Sequence, residues 1–413
     1  MSPRHFAIPM VLTALGGCGF GGSGAGSGAD AGPDGGADAA VDAAPAPCVA
    51  WTPADGPSDP CAAELGTPVA LNVTANATLD TGTGKITVGT GAPLQLPGIA
   101  MTRAGYPSLR VVNLSSLQVA AGQRLTFTGA NTVLFLVHGD ATIGGTIDAS
   151  APLPSSPAQS APGADSSRCT ADNAGKPGMP ATSGSTTGSG GGGGALTGDG
   201  GDGGDGDGGI AKGGKGSKDD GDLPLRGGCP GGRGGDDNNG VVNQGGLPGG
   251  GGGGFLVSAR GTITVTGTLA ANGAPGRGAD LVRAGGGGAG SGGTIGLDGN
   301  RLTLQAGSAL CAKGGGGGEG SSVIDGDRGD TVSCTVARAQ GGSGLSVTSG
   351  NGGAGGSEAT LDGDDGAPGT AEMAVRGGGG GGGGGVGKVL LRARVVGGLT
   401  NSSSIVTPTP TVL

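Results

Sequence analysis

The residues best suited to chemistry in this sequence are aspartates that recur every three positions in a glycine-rich stretch. Asp199, Asp202 and Asp205 are separated by glycine pairs, and Asp207 follows. Carboxylates and glycine carbonyls supply the oxygen ligands that Ca²⁺ takes, and residues 200–205 match the start of a Gly-Gly-x-Gly-x-Asp calcium repeat. Asp207 stands where that repeat needs an apolar residue. The spacing predicts a calcium site, the one cofactor the sequence suggests, and the alternative is a solvated acidic loop.

Two further sets of aspartates are weaker candidates for a calcium site, and one tripeptide resembles a recognition motif for a partner. The sets are Asp325, Asp327 and Asp330, and Asp362, Asp364 and Asp365. Arg328, Gly329 and Asp330 spell an integrin-type tripeptide, which chance produces readily at this content of Arg, Gly and Asp. The tripeptide is therefore poor evidence for a partner.

Catalysis by imidazole has little support in this chain. The sequence holds two His, and no Ser, Cys or acid is placed around His138 to form a triad. His138 is predicted to be an exposed turn residue at the end of a strand. The pattern favours a protein without catalytic residues, although solenoid polysaccharide lyases and hydrolases, which use Asp clusters with Lys or Arg on one face, stay open.

Nucleic-acid binding is not expected either. One Trp, one Tyr and five Phe leave few aromatic platforms, and the net charge is -9. Single-stranded nucleic acids are bound through positive grooves and stacked aromatic rings. Composition therefore argues against nucleic acid as a partner.

Four threonines suggest a remote alternative function. Thr262, Thr264, Thr266 and Thr268 alternate along one stretch and are predicted to share one strand face. Regular rows of Thr on a flat solenoid can order water, as in ice-binding proteins. Thr is also simply a favourable exposed strand residue, which is the plainer interpretation.

The cysteines point to an exported, disulfide-containing protein. The chain has seven Cys. Without Cys18 six remain, an even number, and six cysteines can be paired in fifteen ways. Sequence proximity favours three local bridges, which are Cys48 with Cys61, Cys169 with Cys229, and Cys311 with Cys334. Their spacing does not suggest a metal site.

The N-terminus reads as an export signal over residues 1–17, with Arg4 followed by a short apolar stretch. Residues 15–18 (Leu-Gly-Gly-Cys) resemble a bacterial lipobox, which makes Cys18 the predicted lipidation site. Gly19 follows, and by resemblance to Gram-negative lipoproteins this implies the outer membrane. Residues 18–61 are predicted to be an acidic Gly/Ala/Asp tether, and the lipid is the only predicted contact with the membrane.

Alternating apolar residues predict an all-β fold. The chain has 413 residues, of which 107 are Gly and 25 are Pro. Apolar residues at every second position, punctuated by turn residues, indicate strands over 62–150. We assign 62–150 to an N-terminal β region and 151–413 to strand repeats with Gly-rich excursions.

The repeats suggest stacking. Residues 133–149 align without gaps on 255–271, and looser copies cover 295–314 and 386–399. A repeated strand unit that cannot bury its face alone should stack on its neighbours. We therefore expect an irregular parallel β-helix or solenoid, with a β-sandwich as the alternative. Side-by-side packing of polyproline II segments is one interpretation of the Gly-rich runs, since only Gly permits such close approach. Because the runs are irregular, we expect long projecting loops, partly polyproline II and partly disordered.

Taken together, the chain is similar to uncharacterised Gly-rich β-solenoid lipoproteins of Gram-negative bacteria. The features that carry the resemblance are the lipobox, the Asp/Ala/Gly tether, the alternating β unit and the Gly runs. The resemblance implies a lipid-anchored outer-membrane protein, exposed at the cell surface, and no known activity. We expect a non-enzymatic structural or adhesive role that contacts extracellular matrix or cell-surface polysaccharide.

Overall fold

Almost all regular structure in the described part of the chain is β-strand, which confirms the predicted all-β class. The computed structural model describes residues 48–57, 59–104, 106–154, 161–164, 169, 174–181, 187–206, 225–237, 244–280, 283–344, 347–372 and 375–413. Within these residues the only helix is a single 3₁₀ turn at Ala63–Leu65.

The strands are numbered in chain order. They are β1 (Val69–Val73), β2 (Ala77–Asp80), β3 (Lys85–Val88), β4 (Leu94–Gln95), β5 (Ala100–Arg103), β6 (Tyr106–Val119), β7 (Arg124–Thr128), β8 (Thr132–Val137), β9 (Ala141–Ile143), β10 (Thr146–Asp148), β11 (Gly254–Val265), β12 (Thr268–Ala270), β13 (Thr294–Leu304), β14 (Ala309–Cys311), β15 (Ala371–Glu372), β16 (Val375–Arg376), β17 (Lys388–Ala393), β18 (Leu399–Asn401), β19 (Ile405–Thr407) and β20 (Thr411–Val412).

Most strands belong to two sheets in which neighbours run parallel, apart from the antiparallel pair β5–β6 in the first sheet and one end of the second. The first sheet has the order β1-β6-β8-β11-β13-β17-β20, with β5, β9 and β18 attached at its sides. The second has the order β19-β14-β12-β10-β7-β2-β3-β4, and only its β2-β3-β4 end is antiparallel. The chain passes from a strand of the first sheet to one of the second several times in succession, as in β11 to β12 and β13 to β14. The regions predicted over 62–150 and 151–413 therefore share both sheets.

The pairing register matches the internal alignment of the sequence. Val133 lies beside Phe255 in the first sheet, and Thr146 lies beside Thr268 in the second. These are the residues that the gapless alignment of 133–149 with 255–271 places together. Aligned residues thus become neighbours across a strand pair, where similar side chains pack on similar side chains.

The core lies between the two sheets and is built from stacked apolar residues. Val133, Phe255 and Ile295 occupy one row of the first sheet and are fully buried. Phe127 of the second sheet packs on this row, with its ring centroid 5.8 Å from that of Phe255. The rest of this core is aliphatic, chiefly Leu, Val and Ile, so most of the apolar area that folding removes from water comes from these side chains.

Part of the outer face of the first sheet is covered by residues 48–57, which we call the strap. Trp51 donates a hydrogen bond from Nε1 to Ser258 Oγ at 3.1 Å, and the amide of Ala54 donates to Asp298 Oδ2 at 3.0 Å. Asp55 pairs with Arg103 at 2.8 Å. This part of the predicted tether is therefore packed against the sheet in the structure.

The described glycine segments form a hydrogen-bonded array and do not project as the expected loops. The segment 284–293 shows the pattern most fully, since its amides donate in turn to three neighbours and its carbonyls accept from three others. The segments it donates to are 229–235, 271–277 and 379–385, and those it accepts from are 188–194, 246–252 and 315–321. Each neighbour is contacted at every third residue, which is the period of a polyproline II helix.

At the glycine positions inside this array, no larger residue fits without displacing a neighbouring backbone. A Cβ added at Gly287 would lie 2.1 Å from the Leu247 carbonyl oxygen, and one added at Gly381 would lie 2.0 Å from that of Gly287. The expectation of projecting loops failed because composition alone does not show that backbones so close together satisfy one another's hydrogen bonds. Ordering glycine is costly in entropy, and this dense set of amide-to-carbonyl bonds offsets the cost.

Candidate functional site

A groove lies on the outward face of the second sheet, between its strands and the segment 331–335. Its volume is about 480 Å³, within the range of cavities that bind small ligands. The floor comes from β7, β10 and β12, and residues 272–275 form the opposite rim. We call this cavity the groove.

Strand alternation places short polar side chains on the floor of the groove. The inward row of the second sheet is fully buried, so the residues on either side of it face outward. Arg124, Thr146 and Thr268 share one register position on three adjacent strands. Because such strands lie about 4.8 Å apart, these side chains form a regular line across the floor.

An ion pair lies at one side of this line. Arg124 Nη1 is 3.1 Å from Asp148 Oδ2, and the side chains are 58% and 18% exposed. Asp148 Oδ1 also accepts a hydrogen bond from the Ser150 amide at 2.9 Å. The carboxylate is thereby fixed, while most of the guanidinium remains open to solvent and to a ligand.

The wall of the groove is anchored by a disulfide and a buried lysine. Cys311 at the end of β14 is joined to Cys334 in the wall. Lys313 is 2% exposed and its Nζ donates to the carbonyls of Ser333, Cys334 and Val336. Burial lowers the pKa of Lys313 below its usual value, and the three carbonyls replace the water that the ammonium has lost.

The groove can form many hydrogen bonds but holds few acids. Its described lining residues include hydroxyls of Thr and Ser, the Asn272 amide and the Arg124–Asp148 pair, and Asp148 is their only carboxylate. Glycoside hydrolysis usually needs two carboxylates on opposite sides of the bond that breaks. This lining offers both donors and acceptors to a hydroxyl-rich ligand.

The aspartates of the predicted calcium site lie at an edge of the glycine array. The amides of Asp199 and Asp202 donate to the carboxylates of Asp362 and Asp365, each at 2.7 Å. Asp205 continues the row, and its carbonyl accepts from Gly369 at 2.8 Å. Among the described residues no three His, Cys, Asp or Glu side chains are grouped to hold a metal. Asp207 lies outside the described residues.

The other acidic sets are also part of the array. The Asp327 carbonyl accepts a hydrogen bond from the Glu319 amide, and the Asp327 amide donates to Glu319 Oε2 at 3.0 Å. In the tripeptide, the Gly329 and Asp330 amides are bonded to the Gly276 and Gln340 carbonyls. Arg338 pairs with Asp364 at 2.7 Å. These carboxylates and amides hold segments of the array together.

His138 is not the exposed turn residue that the sequence predicts. It follows β8 in a bend, as expected, but it is half-buried beneath the strap. Its Nε2 donates to Asn113 Oδ1 at 2.8 Å, its Nδ1 lies 3.5 Å from Cys48 Sγ, and the Trp51 ring meets it edge-on at 5.1 Å. Burial, and secondarily the charge of Arg260, lower the pKa of His138 below its ordinary 6.5. His138 is thus a neutral packing residue for the strap.

The four threonines do not share one strand face. Thr262 and Thr264 belong to β11, Thr266 lies in the bend that follows, and Thr268 starts β12 in the other sheet. The chain turns between them, which sequence alternation cannot reveal. A threonine row does exist across strands, where Thr142, Thr264, Thr303 and Thr400 occupy one register position on neighbouring strands and are exposed or partly exposed; this is the kind of row that the ice-binding hypothesis needs.

The three disulfides are Cys48–Cys61, Cys169–Cys229 and Cys311–Cys334, the pairs that sequence proximity favours. The predicted lipidation site Cys18, the signal over 1–17 and the tether up to residue 47 lie outside the described residues. In the described part of the chain, no helix has the length and apolar character needed to cross a membrane.

Comparison with known proteins gives no relative from which to transfer a function. No protein-family model matches the chain, and no curated protein or solved structure matches it either. The groove, the strap and the array must therefore be interpreted from their own geometry.

Proposed function

We propose that this protein is a non-enzymatic surface lipoprotein that binds polysaccharide in the groove on its second sheet. The observation that carries the proposal is the groove itself, a polar cavity of about 480 Å³ with a flat strand floor and an anchored wall. Sugars present rows of hydroxyls that both donate and accept hydrogen bonds. The Thr, Ser and Asn side chains and the Arg124–Asp148 pair offer both kinds of partner.

The proposed architecture suits a repeating ligand. The succession of parallel strands from one sheet to the other supports a parallel β-solenoid in preference to a β-sandwich, in which sheets are typically antiparallel. Stacked coils place equivalent side chains at a constant spacing. A polymer with its own repeat can therefore meet several equivalent positions, and this gives useful affinity from weak individual contacts.

The runner-up, a solenoid polysaccharide lyase or hydrolase, acts on the same class of ligand. The Arg124–Asp148 pair is the feature that favours it, since such enzymes use Asp with a nearby Arg. Against it stands the single carboxylate among the described lining residues of the groove. Binding without cleavage therefore has the better support.

The test is retention on polysaccharide. The purified protein should bind matrix or surface polysaccharide without shortening it, and Thr146→Val with Thr268→Val should lower affinity about tenfold, because two hydroxyl partners are removed at nearly constant volume. Thr264→Val, on the face away from the groove, is the matched control. Release of shortened polysaccharide chains would favour the lyase or hydrolase alternative. Unchanged binding by the double variant would mean that the polysaccharide does not bind in the groove.

A further inference from the structure

A second cavity lies at the edge of the glycine array and has not been assigned a role above. Its volume is about 300 Å³, and it is lined by Arg233, Arg277, Asp280 and the backbone of 245–247 and 278. We call it the second cleft. Its size is at the lower end of the range for small-ligand sites.

Arginine–aspartate pairs dominate the second cleft. Arg277 Nη2 is 3.0 Å from Asp280 Oδ1, with side chains 50% and 52% exposed. Arg233 Nη2 is 3.5 Å from Asp236 Oδ1 and donates to the Gly245 carbonyl at 3.2 Å. Arg277 makes only the bond to Asp280 within the described part of the chain, so the rest of its guanidinium faces the cavity.

The pairing decides the class of ligand. An unpaired guanidinium selects carboxylate or phosphate, to which it can donate two parallel hydrogen bonds. Here Asp280 neutralises Arg277 and would repel a second carboxylate close to it. Together the two side chains offer donors beside acceptors, which is what two adjacent hydroxyls of a neutral sugar require. The Arg124–Asp148 pair in the groove presents the same combination.

One glycine-rich segment connects the two cavities. Residues 272–275 form a rim of the groove, and residues 277, 278 and 280 line the second cleft. At about 3.1 Å per residue in a polyproline II segment, 272 to 280 spans roughly 25 Å. A chain of a few sugar units is long enough to reach from one cavity to the other.

We infer that the second cleft is a further sugar-binding subsite, in which the Arg277–Asp280 pair holds neighbouring hydroxyls of a neutral polysaccharide. The identity of the ligand as a sugar rests on the function proposed for the groove. The preference for a neutral over an acidic polymer comes from the second cleft itself.

Affinity gel electrophoresis of the full-length protein tests the inference with dextran, mannan, laminarin and xylan as probes. The carboxymethyl derivative of each polymer supplies the same backbone with added charge. The variants are Arg277→Gln with Asp280→Asn for the second cleft, and Thr146→Val with Thr268→Val for the groove. Arg301→Gln is the matched control, since Arg301 is exposed on β13 and lines neither cavity.

We expect at least one neutral polymer to retard the protein, its carboxymethyl form to retard it less, and the second-cleft variant to lose about tenfold in affinity. Arg277→Lys, which keeps the charge but not the planar fork, should lose affinity as well. Thermal melts show whether each variant is folded.

The failures are distinguishable. Retardation by none of the polymers, neutral or carboxymethylated, overturns both proposals. A groove variant that loses binding while the second-cleft variants behave as Arg301→Gln leaves the groove standing and overturns the second subsite. Tighter binding of the carboxymethyl polymer overturns the neutral class of ligand.

Discussion

Single side chains attach the strap to the first sheet, and one of them titrates. His138 donates from Nε2 to Asn113 and meets the edge of Trp51, so the neutral ring is the form that fits. Asp298, almost fully buried, accepts from the strap at Ala54 and from Ser258 at 2.8 Å. The strap therefore depends on a few polar contacts with the first sheet.

Acidification should loosen the strap through His138. Because the pKa of His138 is lowered in the folded protein, the folded state favours the neutral ring. Its contribution to stability is present above the unfolded value of about 6.5 and is lost as pH falls through the folded pKa. The chain has one Trp, so Trp51 fluorescence reports on the strap directly. We expect a red shift of its emission as pH is lowered from 7 to 5.

His138→Gln is the control for this titration. Gln keeps a donor toward Asn113 and carries no titrating ring, so its Trp51 emission should stay constant over the same pH range. If the variant shows the same shift as the natural protein, another group is responsible for the change.

At the scale of elements, the glycine segments replace side-chain packing by backbone contact. The segment 377–387 bonds to 361–370, 312–321 and 188–194 through successive amides, as 284–293 does with its own neighbours. Cα–H···O contacts add to these bonds wherever backbones approach closely. The array should therefore respond to one added methyl group as a packed core responds to overfilling.

Gly381→Ala should destabilise the protein by about 3 kcal/mol, because its Cβ would fall 2.0 Å from a backbone oxygen that cannot turn aside. Differential scanning calorimetry measures the loss. Gly144→Ala is the matched control, since its Cβ would lie no closer than 3.3 Å to its nearest neighbour. Equal melting temperatures for the two variants would mean that the array is not tightly packed.

The strands and their register could be predicted from the sequence, whereas packed glycine segments are only the less favoured interpretation and the groove could not be predicted. Strands reveal themselves because burial on one face imposes a period of two, and the match of 133–149 with 255–271 places Val133 beside Phe255. Glycine carries no such pattern, and Gly382 bonds to Gly191, far away in the chain. The groove depends on Lys313 and Cys334, whose roles arise only when a distant loop folds over the second sheet.

The whole molecule is predicted to act at a surface, and Cys18 is the residue on which that depends. Replacing it with Ala removes the predicted lipidation site, so the protein should leave the membrane fraction, since no other membrane anchor is predicted. Protease added to intact cells should digest the natural protein. Fractionation and protease accessibility measured together test this prediction.

Each outcome has a clear meaning for the proposed role. Digestion on whole cells would agree with adhesion through the groove. Protection until the outer membrane is broken would contradict surface exposure and favour a structural or polysaccharide-processing role in the periplasm. Membrane retention of Cys18→Ala would contradict the lipid anchor.

The glycine segments of the array show that composition alone is a poor guide to backbone order in this chain. Their composition is that of a flexible linker, and no helix or strand is assigned along most of their length. Yet their amides are enclosed and bonded, so they should exchange hydrogen for deuterium as slowly as those of the central strands. We therefore expect the described glycine segments to belong to the most protected part of the backbone.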